Sequence, residues 1–156
     1  MTELVIFVGL QASGKSSFYN LRFKGSHVLV SKDQFPNTKN KERRQSSLVR
    51  EALSNGQSVV VDNTNPDLES RASIVQIGKE FGARVVGYYF RSRLAECLER
   101  NSIRTGKSRI SEVGLRSTAK KLVVPSLNEG FDELYYVRIC ESGKFVVEDW
   151  NEDAFP

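Results

Sequence analysis

The chain alternates short apolar runs with longer amphipathic stretches. Leu4–Val8 is an unbroken apolar run, the mark of a strand buried on both faces. Val28–Ser31, Ser58–Val61 and Arg84–Phe90 read as further strands, and Glu133–Cys140 with Lys144–Val147 as two late ones turning at Ser142-Gly143. Between them the spacing predicts five helices: one from about Lys15, one over roughly Lys39–Ser54, one running to about Phe81, one over Arg93–Ile103, and one capped by Ser111 and ended by Pro125. Gly56 and Gly82 follow the second and third helices, where a left-handed stop belongs. Asn65 is expected to cap the third helix, with Pro66 at its first position. Ile110 and Leu115 could staple the start of the fifth. Thr105–Arg109 is polar and expected to be a mobile loop. Strands alternating with helices predict an α/β fold: a mostly parallel sheet covered on both faces, one domain over residues 1–156, functional groups at the C-terminal ends of the strands.

Composition narrows the chemistry. Of 156 residues, 39% are hydrophobic and 27% charged, with 23 Lys and Arg against 19 Asp and Glu for a net charge of +4. That is a chain able to bury one sizeable core, not a disordered tail. His27 is the only histidine, and Cys97 and Cys140 stand far apart. Zinc sites and histidine-dependent triads are therefore not expected, and His27 and both thiols read as structural. No run is long enough to cross a membrane, and the N-terminus lacks the marks of a signal peptide, so a cytoplasmic location is expected. Charge is uneven: residues 91–121 carry nine basic and three acidic side chains, residues 122–156 two basic and eight acidic. A local anion site fits that asymmetry better than general coating of nucleic acid. Trp150 and Phe155, in the acidic segment, are expected to pack against the core.

Gly9-Leu10-Gln11-Ala12-Ser13-Gly14-Lys15-Ser16 satisfies G-x-x-x-x-G-K-[ST] in full, between an apolar strand and a helix. In such a loop successive backbone N–H groups point at phosphate oxygens, and the helix N-terminus adds positive potential. Gly9, Leu10, Gln11, Ala12, Ser13, Gly14, Lys15, Ser16 and Ser17 are therefore the expected ATP site, with Lys15 on the β- and γ-phosphates and Ser16 on Mg²⁺. Asp62 closes the apolar run Val59–Val61, the Walker-B pattern, and either holds the metal or serves the acceptor; Asn63 and Thr64 follow it at the same sheet edge. Asp33, after the second strand, is placed to accept the proton of an acceptor hydroxyl, unless it is a turn residue. Arg100 and Arg104 share one helical face beside a basic loop extended by Lys107 and Arg109, as a lid over a transferring phosphoryl group requires.

The segment NGQSVVVDNTNPDLESRASIVQIGKEFGA resembles the kinase domain of polynucleotide kinase/phosphatase proteins, above all in VDNTNPD followed by an arginine. VPSLNEGFDELYYV is similar to that family's closing segment, and with GLQASGKSSF the resemblance covers nearly the whole chain. It implies a P-loop three-layer α/β sandwich of the adenylate-kinase type. By resemblance Asp33 matches the aspartate that activates the 5′-hydroxyl, Arg100 and Arg104 the paired lid arginines of the phage-type enzyme, and Asp62 and Arg71 fall on the acceptor side. The chain departs from the pattern in two places. Lys32-Asp33 replaces the usual Arg-Asp pair. Pro36 stands where phage-type enzymes carry an arginine that helps hold the acceptor phosphate. No D-x-D-x-T motif is present, so a 3′-phosphatase activity is not expected. The expected function is Mg²⁺- and ATP-dependent phosphorylation of a hydroxyl, the 5′-OH of an oligonucleotide foremost. A small-molecule kinase acting on a sugar, nucleoside or antibiotic is the alternative, and a nucleotide-binding switch without an acceptor is the third.

Overall fold

The computed structural model describes residues 1–153. Six strands form one sheet in the order β2-β3-β1-β4-β5-β6. They are β1 (Glu3–Val8), β2 (His27–Val30), β3 (Ser58–Val61), β4 (Arg84–Phe90), β5 (Glu133–Ile139) and β6 (Phe145–Asp149). The first five run parallel, and β6 returns antiparallel to β5. The hairpin turns where the sequence indicates: Gly143 has φ +85°, its N–H donates to the Cys140 carbonyl, and the Cys140 N–H donates to the Lys144 carbonyl.

Strand β1 sits between β3 and β4, which explains its unbroken apolar run. Leu4, Ile6 and Val8 are buried against one layer with Val49, Leu53 and Ile74, from α2 (Lys41–Ser54) and α3 (Leu68–Glu80). Val5 and Phe7 are buried against the other, with Phe18, Tyr19 and Phe23 from α1 (Lys15–Arg22) and the residue after it. The α1 face is aromatic: the Phe18 ring meets Phe7, Phe23, Phe90 and Phe145 with centroids 5.2–6.0 Å apart. Two further helices, α4 (Leu94–Ser102) and α5 (Glu112–Lys121), pack over the loop after β1 through Cys97 and Leu115, which contact Leu10 and Ala12. The chain leaves β1 toward β2 on one side and later passes to β4 on the other. The C-terminal edge of β1 is therefore the switch point where such sheets bind ligands.

One helix start differs from expectation. Asp67, not Asn65, caps α3, its Oδ1 accepting the Ser70 N–H at 2.9 Å. Asn65 is buried in a left-handed conformation, φ 43°, and its side-chain amide donates to the Phe7 carbonyl at 2.7 Å. The VDNTNPD loop thus runs two residues further than a cap at Asn65 allows, and Asn65 ties it to β1. His27 is structural: Nε2 lies 2.8 Å from Glu3 Oε1 and Nδ1 2.7 Å from Ser26 Oγ. Trp150 packs edge-on to Tyr89, while Phe155 lies outside the described residues. Among the described residues both cysteines are unbridged, and no helix is long and apolar enough to cross a membrane.

Candidate active site

The loop after β1 wraps because its backbone can take left-handed turns. Gly14 has φ +100°, and a Cβ there would lie 3.0 Å from both Ile139 Cδ1 and Phe145 Cε1. Ala12 adopts φ 65°, a conformation costing a non-glycine residue about 1 kcal/mol. The surroundings hold that strain in place. The Gly9 N–H donates to the Thr64 carbonyl and the Leu10 N–H to Ser92 Oγ, each at 3.0 Å. Gln11 Nε2 donates to Thr118 Oγ1 at 3.0 Å, and Arg100 donates to the Ala12 carbonyl at 3.3 Å.

Lys15 is folded into this loop, 8% exposed. Its Nζ donates to the carbonyls of Leu10 (2.6 Å) and Gly9 (3.0 Å) and to Ser13 Oγ (3.4 Å). Burial lowers its pKa from 10.5 to about 8; the nearby Asp62 carboxylate opposes that shift and Arg104 reinforces it. Next to it, Ser16 Oγ donates to Asp62 Oδ2 at 2.9 Å. Asp62 is 7% exposed, and burial raises its pKa against the pull of Lys15 and Ser16. The chemistry of this pair suits magnesium, which binds one or two hard oxygen ligands from the protein and completes its shell with phosphate oxygens and water. Ser16 and Asp62 are the residues that would hold it. Among the described residues no group of three His, Cys, Asp or Glu side chains forms a cage for a metal.

Asp33 lies on a short 3-10 turn, Lys32–Gln34, just past β2; Ser31 caps the turn, its Oγ accepting the Asp33 N–H at 3.3 Å. The Asp33 side chain is exposed, and its charge reaches both Lys15 and Asp62. Asn63 braces this turn: its Oδ1 accepts the Lys32 N–H at 2.9 Å and its Nδ2 donates to buried Gln45 of α2 at 2.5 Å. Both polar ends of Asn63 are thus engaged by the scaffold, and Thr64 contributes its carbonyl to Gly9.

Arg71 is drawn into the scaffold, a correction to its expected place on the acceptor side. It is fully buried (0%), and its guanidinium forms a two-point ion pair with Glu129 at 2.9 and 3.2 Å while donating to the carbonyls of Asn65, Pro66 and Val123. It ties the VDNTNPD loop to the VPSLNEGF segment, two stretches far apart in the chain. Buried charge of this kind survives only fully paired, so Arg71 is a positioning residue.

Arg104 follows α4, its Nη1 donating to the Ser108 carbonyl at 3.2 Å. A cleft of about 960 Å³ opens between Glu96, Glu99, Arg100 and Ile103 on the α4 side and the Ile139–Gly143 turn of the β5–β6 hairpin. Arg100 lines this cleft and also bonds the phosphate loop at Ala12. Sequence reasoning missed Ser92 and Glu129. The place of Ser92 just beyond an apolar strand was the one signal for it; Glu129 had none.

The chain is similar to several known proteins. The chain is 30% identical over 141 residues to an Acanthamoeba polyphaga mimivirus protein named as a bifunctional polynucleotide phosphatase/kinase, covering 85% of this chain and 32% of that one. It is 29% identical over 134 residues to the bifunctional polynucleotide phosphatase/kinase of Schizosaccharomyces pombe, covering 83% of this chain and 32% of that one. The chain thus spans about a third of the length of these relatives. Among solved structures, a gluconokinase from Sinorhizobium meliloti 1021 superposes with TM-score 0.65 at 18% identity, covering 89% of this chain and 83% of that one. The sequence matches the AAA domain over residues 4–124. With that match covering most of the chain, beside a complete phosphate loop and an acidic strand end, the chain belongs to the AAA domain family.

Proposed function

We propose that this domain transfers the γ-phosphate of ATP to a hydroxyl group, and that the acceptor is the 5′-OH of an oligonucleotide. The observation that carries the transfer reading is the position of Asp33: an exposed carboxylate on the strand-end turn beside the Lys15–Ser16–Asp62 cluster, close enough for its charge to act on Lys15 and Asp62. A nucleotide switch has no use for a second-substrate base there. The names of the relatives support a polynucleotide acceptor. So do Lys39, Lys41, Arg43 and Arg44, which lead into and begin α2 next to the Asp33 turn with no acidic partner within ion-pair distance among the described residues.

In this reading the phosphate loop and Lys15 hold the β- and γ-phosphates, and the α4–hairpin cleft receives the nucleoside. Bound magnesium supplies charge neutralisation on the phosphate oxygens. The Asp33 carboxylate orients the acceptor hydroxyl and takes its proton as the new O–P bond forms. The bond from the γ-phosphorus to the bridging oxygen breaks and ADP leaves. Arg100 and Arg104 stabilise the charge on the transferring group. Pro36, in place of an acceptor-phosphate arginine, favours a second reading, a small-molecule kinase. Labelled ATP offered with 5′-OH DNA, 5′-OH RNA, nucleosides and sugars separates the two. Label on the 5′ end of an oligonucleotide is the expected result. Label on a nucleoside or sugar alone gives the second reading, and acceptor-independent hydrolysis removes both.

A further inference from the structure

The lid loop is closed at its neck by one side chain. Asn101, in the last turn of α4, is 5% exposed. Its Oδ1 accepts the Ile110 N–H at 2.9 Å and its Nδ2 donates to the Ile110 carbonyl at 2.7 Å, the paired bonding of two strand residues made by a side chain. The ends of the eight-residue stretch 102–109 are thereby brought together. Bonds within the loop complete it: the Arg104 N–H donates to the Asn101 carbonyl at 3.1 Å, Arg104 Nη1 to the Ser108 carbonyl, Ser108 Oγ to the Thr105 carbonyl at 2.9 Å, and the Arg109 N–H to the Gly106 carbonyl. Below the neck, Cys97 and Leu115 are buried with Leu10 and Ala12 of the phosphate loop. The base of the lid therefore rides on the nucleotide site, and only the loop beyond Asn101 projects from it.

We infer that Asn101 is the positioning residue of the lid: its side-chain amide closes the 102–109 loop, so that Arg104 is delivered to the phosphate site as part of a preformed unit. Asparagine is a poor helix former, and the contacts below it are apolar, so neither propensity nor packing accounts for it. A matched donor and acceptor facing one backbone residue does. Leucine at this place could pack but would leave both polar groups of Ile110 without their partner. The inference rests on the transfer reading for its kinetic part and on geometry alone for the loop.

The test combines Asn101→Ala, Arg104→Ala and the double variant, read by transfer from labelled ATP to the best acceptor of the panel, by ATP binding, and by trypsin cutting after Arg104, Lys107 and Arg109. Asn101→Ala is expected to lower kcat by up to about a hundredfold through misplacement of Arg104, to leave ATP affinity unchanged and to speed cutting in the loop. The double variant is expected to transfer no more slowly than Arg104→Ala alone, because Asn101 acts through Arg104. Asn101→Asp keeps the acceptor for the Ile110 N–H but sets a carboxylate against its carbonyl, and should fall between wild type and Ala. Losses that multiply in the double variant, or trypsin cutting at the wild-type rate in Asn101→Ala, would overturn the inference. Should wild type label no acceptor, the transfer reading fails, and trypsin cutting alone decides whether Asn101 closes the loop.

Discussion

On the nucleotide side, Lys15 and Asp62 are 8% and 7% exposed, and Lys15 lies within hydrogen-bond distance of three loop oxygens. On the proposed acceptor side, Asp33 stands exposed on a three-residue 3-10 turn held by Ser31 and Asn63. The contrast follows from what each side has to do. Charge on a transferring phosphoryl group is stabilised most by groups fixed in a dry setting before the reaction. Under the proposed function an acceptor must enter and leave, so a base for it belongs at an open edge. The buried side has a cost in ionisation, visible in the lowered pKa of Lys15 and the raised pKa of Asp62.

The largest expected effect falls on the buried side. Lys15→Ala removes the only ammonium inside the loop, and transfer should drop by about a thousandfold, the upper range for losing one donor to developing charge. Steady-state transfer on folded protein checks this; unchanged turnover would end the kinase reading. Arg71→Ala probes the scaffold behind both sides. It leaves Glu129 without its guanidinium and the Asn65 and Val123 carbonyls without their side-chain donor, while Pro66 keeps the Val123 N–H, and should lower stability by about 3 kcal/mol, read from denaturant unfolding. A drop of a few tenths would mean the VDNTNPD loop is held by Asn65 and backbone bonds instead.

Asp33→Asn tests the open side. The amide keeps the size of the carboxylate but cannot take the proton, so transfer should fall by about a hundredfold. ATP affinity and unfolding midpoint should both hold, because the side chain is exposed and makes no buried contact. Loss of ATP binding together with stability would show that the two sides are not separable and that Asp33 is a structural turn residue.

The same contrast sets what could be read from sequence. The six strands and five helices are legible because each is a short apolar run or a helical stripe, and the phosphate loop because its spacing carries its own physics. Strand order is not, since β1 pairs with β3 and β4 through contacts that no local pattern encodes. As a cap Asn65-Pro66 is a stronger local signal than Asp67; what overrides it is the bond from Asn65 to β1. The place of Arg71 is hidden for a related reason. Only the family resemblance sets Arg71 on the acceptor side, and no local pattern shows its partner, since Glu129 lies 58 residues further on. Asn101 carried no signal at all, because a buried asparagine that imitates backbone looks in sequence like any polar residue on an exposed turn.

The smallest expected effect is also the most specific to burial. In the nucleotide-free protein Lys15 loses its proton near pH 8 rather than 10.5. The unfolded chain therefore binds more protons between those values, so burial of Lys15 opposes folding most below about pH 8 and progressively less as pH rises. A bound triphosphate replaces neutral loop carbonyls with negative charge and raises the Lys15 pKa again. Binding above pH 8 must then take up a proton, and ATP affinity should fall as pH rises, approaching about tenfold per unit while the bound form stays protonated. Titration calorimetry at pH 7 and pH 9, in buffers of different ionisation heat, reads the uptake directly: near zero at the lower pH and approaching one proton at the higher. Lys15→Arg is the control. Its guanidinium stays charged across the range, so whatever its affinity, the uptake should vanish. Equal uptake in wild type and Lys15→Arg would move the titrating group away from the phosphate loop and leave the buried side without its distinguishing property.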